Sequence, residues 1–227
     1  MNRRDFLKVS GAGMFTLFLS GVGINMLNKS EADAATQNNM ASANTMGGKR
    51  MKIVVLTGSP HRAGTSALLA DKFIEGVQSN GHEVFRFNAA FEDIHPCNGC
   101  DMCGMNGSCV HKDAIENNLI QKLVECDMVA LVTPLYYYGM SAQLKTVIDR
   151  FYSRTGSIHN KKSILMATAY NSADWTMEAL MSHYRTLVRY MEWEDLGQVL
   201  AVGCGSRSVI ERSQFPQMAL ELGRSIK

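Results

Sequence analysis

Four of the six cysteines fall in one short stretch, Cys97, Cys100, Cys103 and Cys109, spaced C-x2-C-x2-C-x5-C. A compact thiolate run of this kind suits an iron–sulfur centre, because a tight turn lets several sulfurs face one point. Free thiols, disulfides in an oxidising compartment, and zinc are the open alternatives, although a run of two-residue gaps is less usual for zinc. Cys126 and Cys204 stand apart, in helix and strand patterns, and read as small buried hydrophobes.

A second candidate is Thr57-Gly58-Ser59-Pro60-His61-Arg62-Ala63-Gly64-Thr65-Ser66, which joins a β-branched run to a helical one. Gly58 and Gly64 permit unusual backbone angles. Ser59, Thr65 and Ser66 supply hydroxyls, and Thr65 and Ser66 open a helix whose free N–H groups attract an anion. His61 or Arg62 adds positive charge. The loop lacks the lysine of a Walker A sequence and the spacing of a dinucleotide turn. It reads as a mononucleotide-phosphate cradle; a plain turn with a Ser/Thr helix cap is the alternative.

The elements that hold these loops alternate. Strands are expected at 52–56, 83–87, 128–132, 163–168 and 199–202. Helices are expected at 66–79, 114–124, 142–152, 175–191 and 218–226; in the first, Leu69, Phe73 and Val77 share one face. Five such alternations imply an α/β fold, a parallel sheet covered on both faces by right-handed crossovers. Ligands then bind beyond the carboxyl ends of the strands. The loops after the first, third and fourth strands are the places for function.

The run Gly-Ser-Pro-x-x-x-Gly-x-Ser at 58–66 resembles the NAD(P)H-dependent FMN reductase branch of the flavodoxin superfamily. So does Thr133-Pro134-Leu135-Tyr136-Tyr137-Tyr138-Gly139-Met140-Ser141-Ala142-Gln143-Leu144-Lys145, followed by Ile148-Asp149-Arg150. The resemblance spans Met51 to Lys227. It implies a three-layer flavodoxin-like fold with a five-stranded parallel sheet in the order 2-1-3-4-5. It implies that Ser59, Thr65 and Ser66 hold the FMN phosphate, with His61 and Gly64 in the same cradle. Pro134, Leu135, Tyr136, Tyr137 and Gly139 would wrap the isoalloxazine ring, and the loop Ala169–Asp174, which lacks the paired glycines of many members, would reach it too. Chemistry is consistent with this: aromatic side chains offer flat surfaces to a flat ring, and Gly139 lets backbone N–H groups approach its polar edge. Three consecutive tyrosines also suit a subunit interface.

The cysteine spacing is similar to the cluster motif of iron–sulfur flavoproteins in the same superfamily, which implies a 4Fe–4S cluster on Cys97, Cys100, Cys103 and Cys109. The resemblance further implies a flavin-dependent oxidoreductase with NAD(P)H as donor, a redox protein or small molecule as acceptor, and a homodimer or homotetramer. No acid–base residue is expected, since the chemistry belongs to the flavin. A non-enzymatic electron-transfer flavoprotein carrying the cluster is the alternative.

Asn2-Arg3-Arg4-Asp5-Phe6-Leu7-Lys8 resembles the signal of the twin-arginine export route. A weakly apolar run from Val9 to about Leu27 follows, then a small-x-small site at Ala32-Asp33-Ala34. Residues 1–34 are expected to be a signal cleaved after Ala34, 35–50 a flexible linker and 51–227 the domain. An uncleaved anchor is the alternative. Export would place the domain in the periplasm or outside the cell, where NAD(P)H is scarce.

Composition excludes little else. The 227 residues suit one α/β domain, and a net charge of +2 gives no reason to expect nucleic acid as a partner. There is no Gly-x-Ser-x-Gly elbow, the histidines are scattered, and the fifteen methionines show no regular spacing.

Overall fold

The computed structural model describes residues 49–227; the expected signal and nearly all of the expected linker lie outside them. β1 (Lys52–Thr57) is buried at every position after Lys52, and apolar from Ile53 to Leu56, because both of its faces are covered. Val54 and Leu56 enter one layer of core, Ile53 and Val55 the other. The chain continues through α1 (Thr65–Ser79) and β2 (Glu83–Asn88) into an irregular segment that carries the four cysteines. A π-helical turn, Ile115–Leu119, leads into α2 (Ile120–Glu125). Next come β3 (Met128–Tyr136), β4 (Gly139–Met140), α3 (Ala142–Asp149), a 3-10 turn (Arg150–Arg154) and α4 (Thr155–Ile158). β5 (Lys162–Thr168), α5 (Glu178–Tyr190), β6 (Glu194–Ala201), α6 (Arg207–Glu211) and α7 (Phe215–Ser225) complete the domain.

The five long strands are parallel in the order β2-β1-β3-β5-β6, the expected 2-1-3-4-5 arrangement. A sixth strand was not expected. β4 folds back antiparallel on the end of β3, pairing Gly139 with Tyr136 and Met140 with Leu135. The reversal is made by Tyr137 and Tyr138, whose φ angles are +46° and +64°. Leucine, valine and isoleucine of α2 and α3, with Tyr184 of α5, cover one face. α1, Ile210 of α6 and α7 cover the other. α1 and α7 cross at Gly76 and Gly223, where a Cβ on either glycine would overlap the facing backbone, at the Leu220 or the Phe73 carbonyl oxygen. Close backbone approach, not a special angle, requires glycine there.

Several boundaries differ from those expected. β3 runs on to Tyr136 because Thr133 and Pro134 still pair with Ala167 and Thr168 of β5. β6 begins at Glu194, earlier than the apolar run suggested, because its first half is a polar, partly exposed edge. α3 stops at Asp149 and tightens into the 3-10 turn. Among the described residues, no helix is long and apolar enough to cross a membrane.

Candidate functional site

The loops after β1, β3 and β5 meet at the carboxyl edge of the sheet, fastened to each other by named bonds. The Gly58 N–H donates to the Val132 carbonyl at 3.0 Å, and the Gly58 carbonyl accepts from Ser141 Oγ at 2.8 Å. Thr65 Oγ1 lies 2.9 Å from Thr168 Oγ1, which ties the first turn of α1 to the end of β5. Ser141 is fully buried, receives the Leu144 N–H at 3.3 Å and so caps α3.

In the first loop Ser59 is buried and its Oγ accepts the His61 N–H at 3.1 Å. The Gly64 N–H donates to the His61 carbonyl at 3.0 Å, which closes the turn. Gly64 precedes α1 in extended backbone (φ −75°, ψ −178°) and no side chain caps the helix. Its first N–H groups are left for a ligand, with no acidic residue in the first turn to compete. Among the described residues, neither the Ser59 nor the buried Ser66 hydroxyl donates to a protein acceptor.

The unusual backbone angles expected at the two glycines of this loop are absent. Neither Gly58 nor Gly64 has a positive φ. Gly58 is required by space: a Cβ would overlap Ser141 Oγ and come within 2.7 Å of Leu144 Cβ. Gly64 is crowded by His61, whose Cβ would lie 3.0 Å away.

The second loop presents the tyrosines. Pro134 lies in β3 and pairs with Thr168, while Leu135 borders a cavity of about 270 Å³ shared with Tyr137, Tyr138, Ala169, Tyr170 and Asn171. This cleft lies between the second and third loops and is walled mostly by carbon. Tyr137 is wholly exposed and Tyr170 is 87% exposed. Tyr138 packs on Trp175 with ring centroids 4.9 Å apart. Tyr136 borders the hairpin but does not line this cleft. Gly139 has open room for a Cβ, whose nearest neighbour would be the Tyr136 carbonyl at 3.8 Å. Within the chain itself nothing demands glycine at 139; the strained positions are the two tyrosines before it.

The structure therefore brings Ser59, His61, Gly64, Thr65 and Ser66 to one turn and Leu135 and Tyr137 to an adjoining cleft. Ser141, Thr168, Tyr138 and Trp175 were missed as parts of the site. Ser141 stood in the quoted motif and precedes a helical pattern, which is the signal of an N-cap. A larger cavity, about 530 Å³, lies at the opposite edge among Lys49, Asp127, Lys161, Lys162 and Glu194. These five side chains are bonded to each other or to backbone carbonyls, and the ligand-binding edge is the other one.

The cysteine loop is anchored at its base by a buried ion pair and turns at its crown through left-handed backbone. Arg150 and Asp113, 1% and 2% exposed, form a two-pronged pair with distances of 2.6 and 3.2 Å. Arg150 also donates to the His95 carbonyl at 2.9 Å, and Asp113 accepts the His95 N–H at 2.9 Å and the Glu116 N–H at 3.2 Å. Burial pushes the Asp113 carboxyl up, but the Arg150 guanidinium and these N–H groups outweigh it and hold it below the ordinary range. The His95 and His111 rings stack on each other, 5.4 Å apart. At the crown Gly99, Asp101, Gly104 and Met105 all have positive φ.

Cys97 and Cys100 are exposed, Cys103 is half-buried and Cys109 is buried; all four are free. Among the described residues, no three Cys, His, Asp or Glu side chains converge to hold a metal. The expected convergence of four sulfurs is thus not formed here. Cys109 lies beside Arg150, whereas Cys97 and Cys103 lie near Tyr152. The donor set suits a cluster, and the Gly99 N–H already donates to Cys97 Sγ at 3.4 Å; gathering the sulfurs requires the crown to rearrange.

Residues 51–205, more than half of the chain, match the profile of the NADPH-dependent FMN reductase family. The chain belongs to that family. It is 34% identical over 100 residues to an iron–sulfur flavoprotein of Methanocaldococcus jannaschii, covering 44% of this chain and 51% of that protein. It is 36% identical over 101 residues to an iron–sulfur flavoprotein of Archaeoglobus fulgidus, covering 44% and 45%. The chain spans about half the length of the curated relatives it matches. Among solved structures it is similar to an NAD(P)H:quinone oxidoreductase from Methanothermobacter marburgensis, with TM-score 0.64, 18% identity and coverage of 78% of this chain and 96% of that one. An azoreductase from Bacillus anthracis str. Sterne gives TM-score 0.62, 16% identity and coverage of 78% and 100%. These likenesses establish the α/β flavodoxin-like fold shared by family members.

Proposed function

We propose that the domain binds FMN and works as an oxidoreductase of the NAD(P)H-dependent FMN reductase type. The observation that carries this reading is the adjacency of two unlike sites: an uncapped helix start ringed by hydroxyls, and an apolar aromatic cleft one loop away. FMN, when bound, supplies the electron-transfer chemistry. Ser59, Thr65 and Ser66 donate hydroxyl hydrogens to its phosphate, and the α1 N-terminus adds backbone donors. Leu135, Tyr137, Tyr138 and Tyr170 orient the flat ring and limit water around it.

The test is a titration of the purified protein with FMN, followed by anaerobic mixing with NADPH. We expect quenching of flavin fluorescence on binding and loss of flavin absorbance on reduction. Ser66→Ala should weaken FMN by about tenfold, the cost of one charge-assisted hydrogen bond. Protein that stays colourless in excess FMN overturns the reading; bound flavin that NADPH leaves unbleached overturns only the donor.

A second reading is favoured by the four free thiols in one loop and the similarity to iron–sulfur flavoproteins. In it Cys97, Cys100, Cys103 and Cys109 carry a 4Fe–4S cluster and the protein is an electron carrier. Iron and acid-labile sulfide assays on anaerobically prepared protein decide it. The same proposal includes export across the cytoplasmic membrane on residues 1–34 with a linker to residue 50, and assembly as a homodimer or homotetramer. Fractionation of cells and the mass of the purified assembly test these.

A further inference from the structure

A second basic cavity lies on the other side of the first loop. It measures about 210 Å³ and is lined by Thr57, Ser59, His61, Arg62, Ala67, Arg86, Asn88 and Phe91. Thr65, Ser66 and the residues of the second and third loops do not border it. Thr65 instead leans toward Thr168 on β5, whereas Arg86 and Asn88 belong to β2, at the opposite edge of the sheet. The shared wall is the crest of the loop at Ser59 and His61.

The cavity offers donors. Arg62 lies flat on Phe91, its guanidinium carbon 3.8 Å from the ring centroid, and among the described residues it makes no hydrogen bond or ion pair. Stacking fixes the guanidinium plane while leaving its in-plane N–H groups unspent. Arg86 gives its Nε to Asn88 Oδ1 at 2.8 Å and one terminal nitrogen to Asp71 at 2.5 Å; its other terminal nitrogen has no partner among the described residues. Asn88 Oδ1 also accepts from Thr57 Oγ1 at 2.8 Å. Because arginine can only donate, the amide must present its oxygen to Arg86, which leaves both Nδ2 hydrogens uncommitted. No carboxylate lines the cavity, and Asp71 offsets only part of the charge from outside it.

We infer that this cavity binds a second phosphate monoester, distinct from that of FMN, through Arg62, Arg86 and Asn88. The volume is below that of a pocket for a whole drug-sized ligand, so it suits one end of a longer molecule. The adenosine 2′-phosphate end of NADPH has this chemistry, and free inorganic phosphate shares it. The inference rests on the reading of the first loop as the FMN phosphate cradle, because the second site is defined by lying across that loop.

The experiment measures binding of 2′,5′-ADP, 5′-ADP and inorganic phosphate to the FMN-loaded full chain by calorimetry, with Arg86→Met and Arg62→Met beside the wild type. 2′,5′-ADP should bind more tightly than 5′-ADP and weaken about tenfold in each variant, with FMN affinity unchanged in Arg86→Met, whose side chain belongs to β2 and not to the first loop. Inorganic phosphate that binds equally well and is lost in the same variants upholds the pocket with free phosphate as its occupant. If neither 2′,5′-ADP nor phosphate binds, the inference fails. It fails also if FMN affinity drops in parallel in Arg86→Met, which would make the cavity part of the FMN cradle. Should the chain not take up FMN at all, the same titrations on flavin-free protein still test the pocket on its own.

Discussion

The hydroxyl of Ser141 donates to the carbonyl oxygen of Gly58 across 2.8 Å, and fastens the loop after β3 to the loop after β1. The two loops proposed to hold the flavin are therefore one mechanical unit. Gly58→Ala drives a methyl group into Ser141 Oγ and Leu144 Cβ. Overpacking of this kind costs about 1–3 kcal/mol. We expect a lower denaturant midpoint together with weaker FMN binding. Ser141→Gly in the same chain should restore only part of the loss, since the approach to Leu144 remains; a full rescue would show that the hydroxyl alone sets the spacing.

The Arg150–Asp113 pair predicts a larger effect. Both groups are buried, so removing one leaves the other charged and unpaired at about 3–5 kcal/mol. Asp113→Ala should destabilise the domain by that order and speed hydrogen exchange from His95 to Asp113. Replacing both, Asp113→Leu with Arg150→Met, should recover much of the stability. An Asp113→Ala protein as stable as the wild type would show that the pair does not anchor the cysteine loop.

How much of this was legible in the sequence follows from range. Apolar runs and short helical periods are local, so the alternation of strands and helices and the three loops at the carboxyl edge could be expected, whereas the strand order was implied by the family resemblance. The hairpin at 136–139 could not, because Tyr137 and Tyr138 occupy left-handed angles that their residue types do not advertise. Glycine gave the opposite error. Gly58 and Gly64 were read as angular freedom, yet what they supply is space against Ser141, Leu144 and His61, which are long-range or turn contacts. Arg150 stood in the recognised motif, but its partner Asp113 lies 37 residues away with no local signal. The cysteine spacing showed a donor set and not an arrangement, because Cys109 is buried near Arg150 while Cys97 is exposed.

Thiol labelling separates these environments. Cys97 and Cys100 are exposed, whereas burial raises the Cys126 thiol to about 11 despite the nearby Lys161. At pH 8 only about one Cys126 in a thousand is then thiolate. With metal-free native protein, a maleimide should modify Cys97 and Cys100 first and Cys126 only after denaturation. Fast modification of Cys126 in the folded state, located by peptide mass, would contradict its burial at the end of α2.

Asp127 gives the pH dependence a definite sign. Its carboxylate accepts the Lys52 N–H at 2.8 Å, at the point where β1 and β3 begin. That bond, then Lys49, outweighs burial and holds its proton affinity below the ordinary carboxylate value. A group depressed in the folded state adds stability above its unfolded value, and that contribution is lost as the pH falls through the folded one. Asp127→Asn should thus be less stable than the wild type near neutrality, with the gap closing below about pH 4. The gain is modest because Asp127 is partly exposed. A gap that persists unchanged to pH 2 would assign the effect to packing.

The turn at Tyr137 and Tyr138 sets stability against function. Each residue is held at positive φ, which costs a bulky side chain about 1–2 kcal/mol. Two-residue reversals of this hand favour Asn-Gly. Tyr137 is fully exposed, so it recovers nothing by packing inside this chain. Tyr138 recovers part through Trp175, about 0.5–1.5 kcal/mol for an aromatic pair. The strain exceeds that return. Tyr137→Asn with Tyr138→Gly should therefore raise the denaturant midpoint while removing one wall of the cleft, so that FMN affinity or NADPH-driven turnover falls. A double variant that gains no stability would remove the strain argument. One that gains stability and keeps both FMN affinity and turnover would separate the tyrosines from the flavin and leave them to a subunit interface, where the mass of the variant's assembly should change instead.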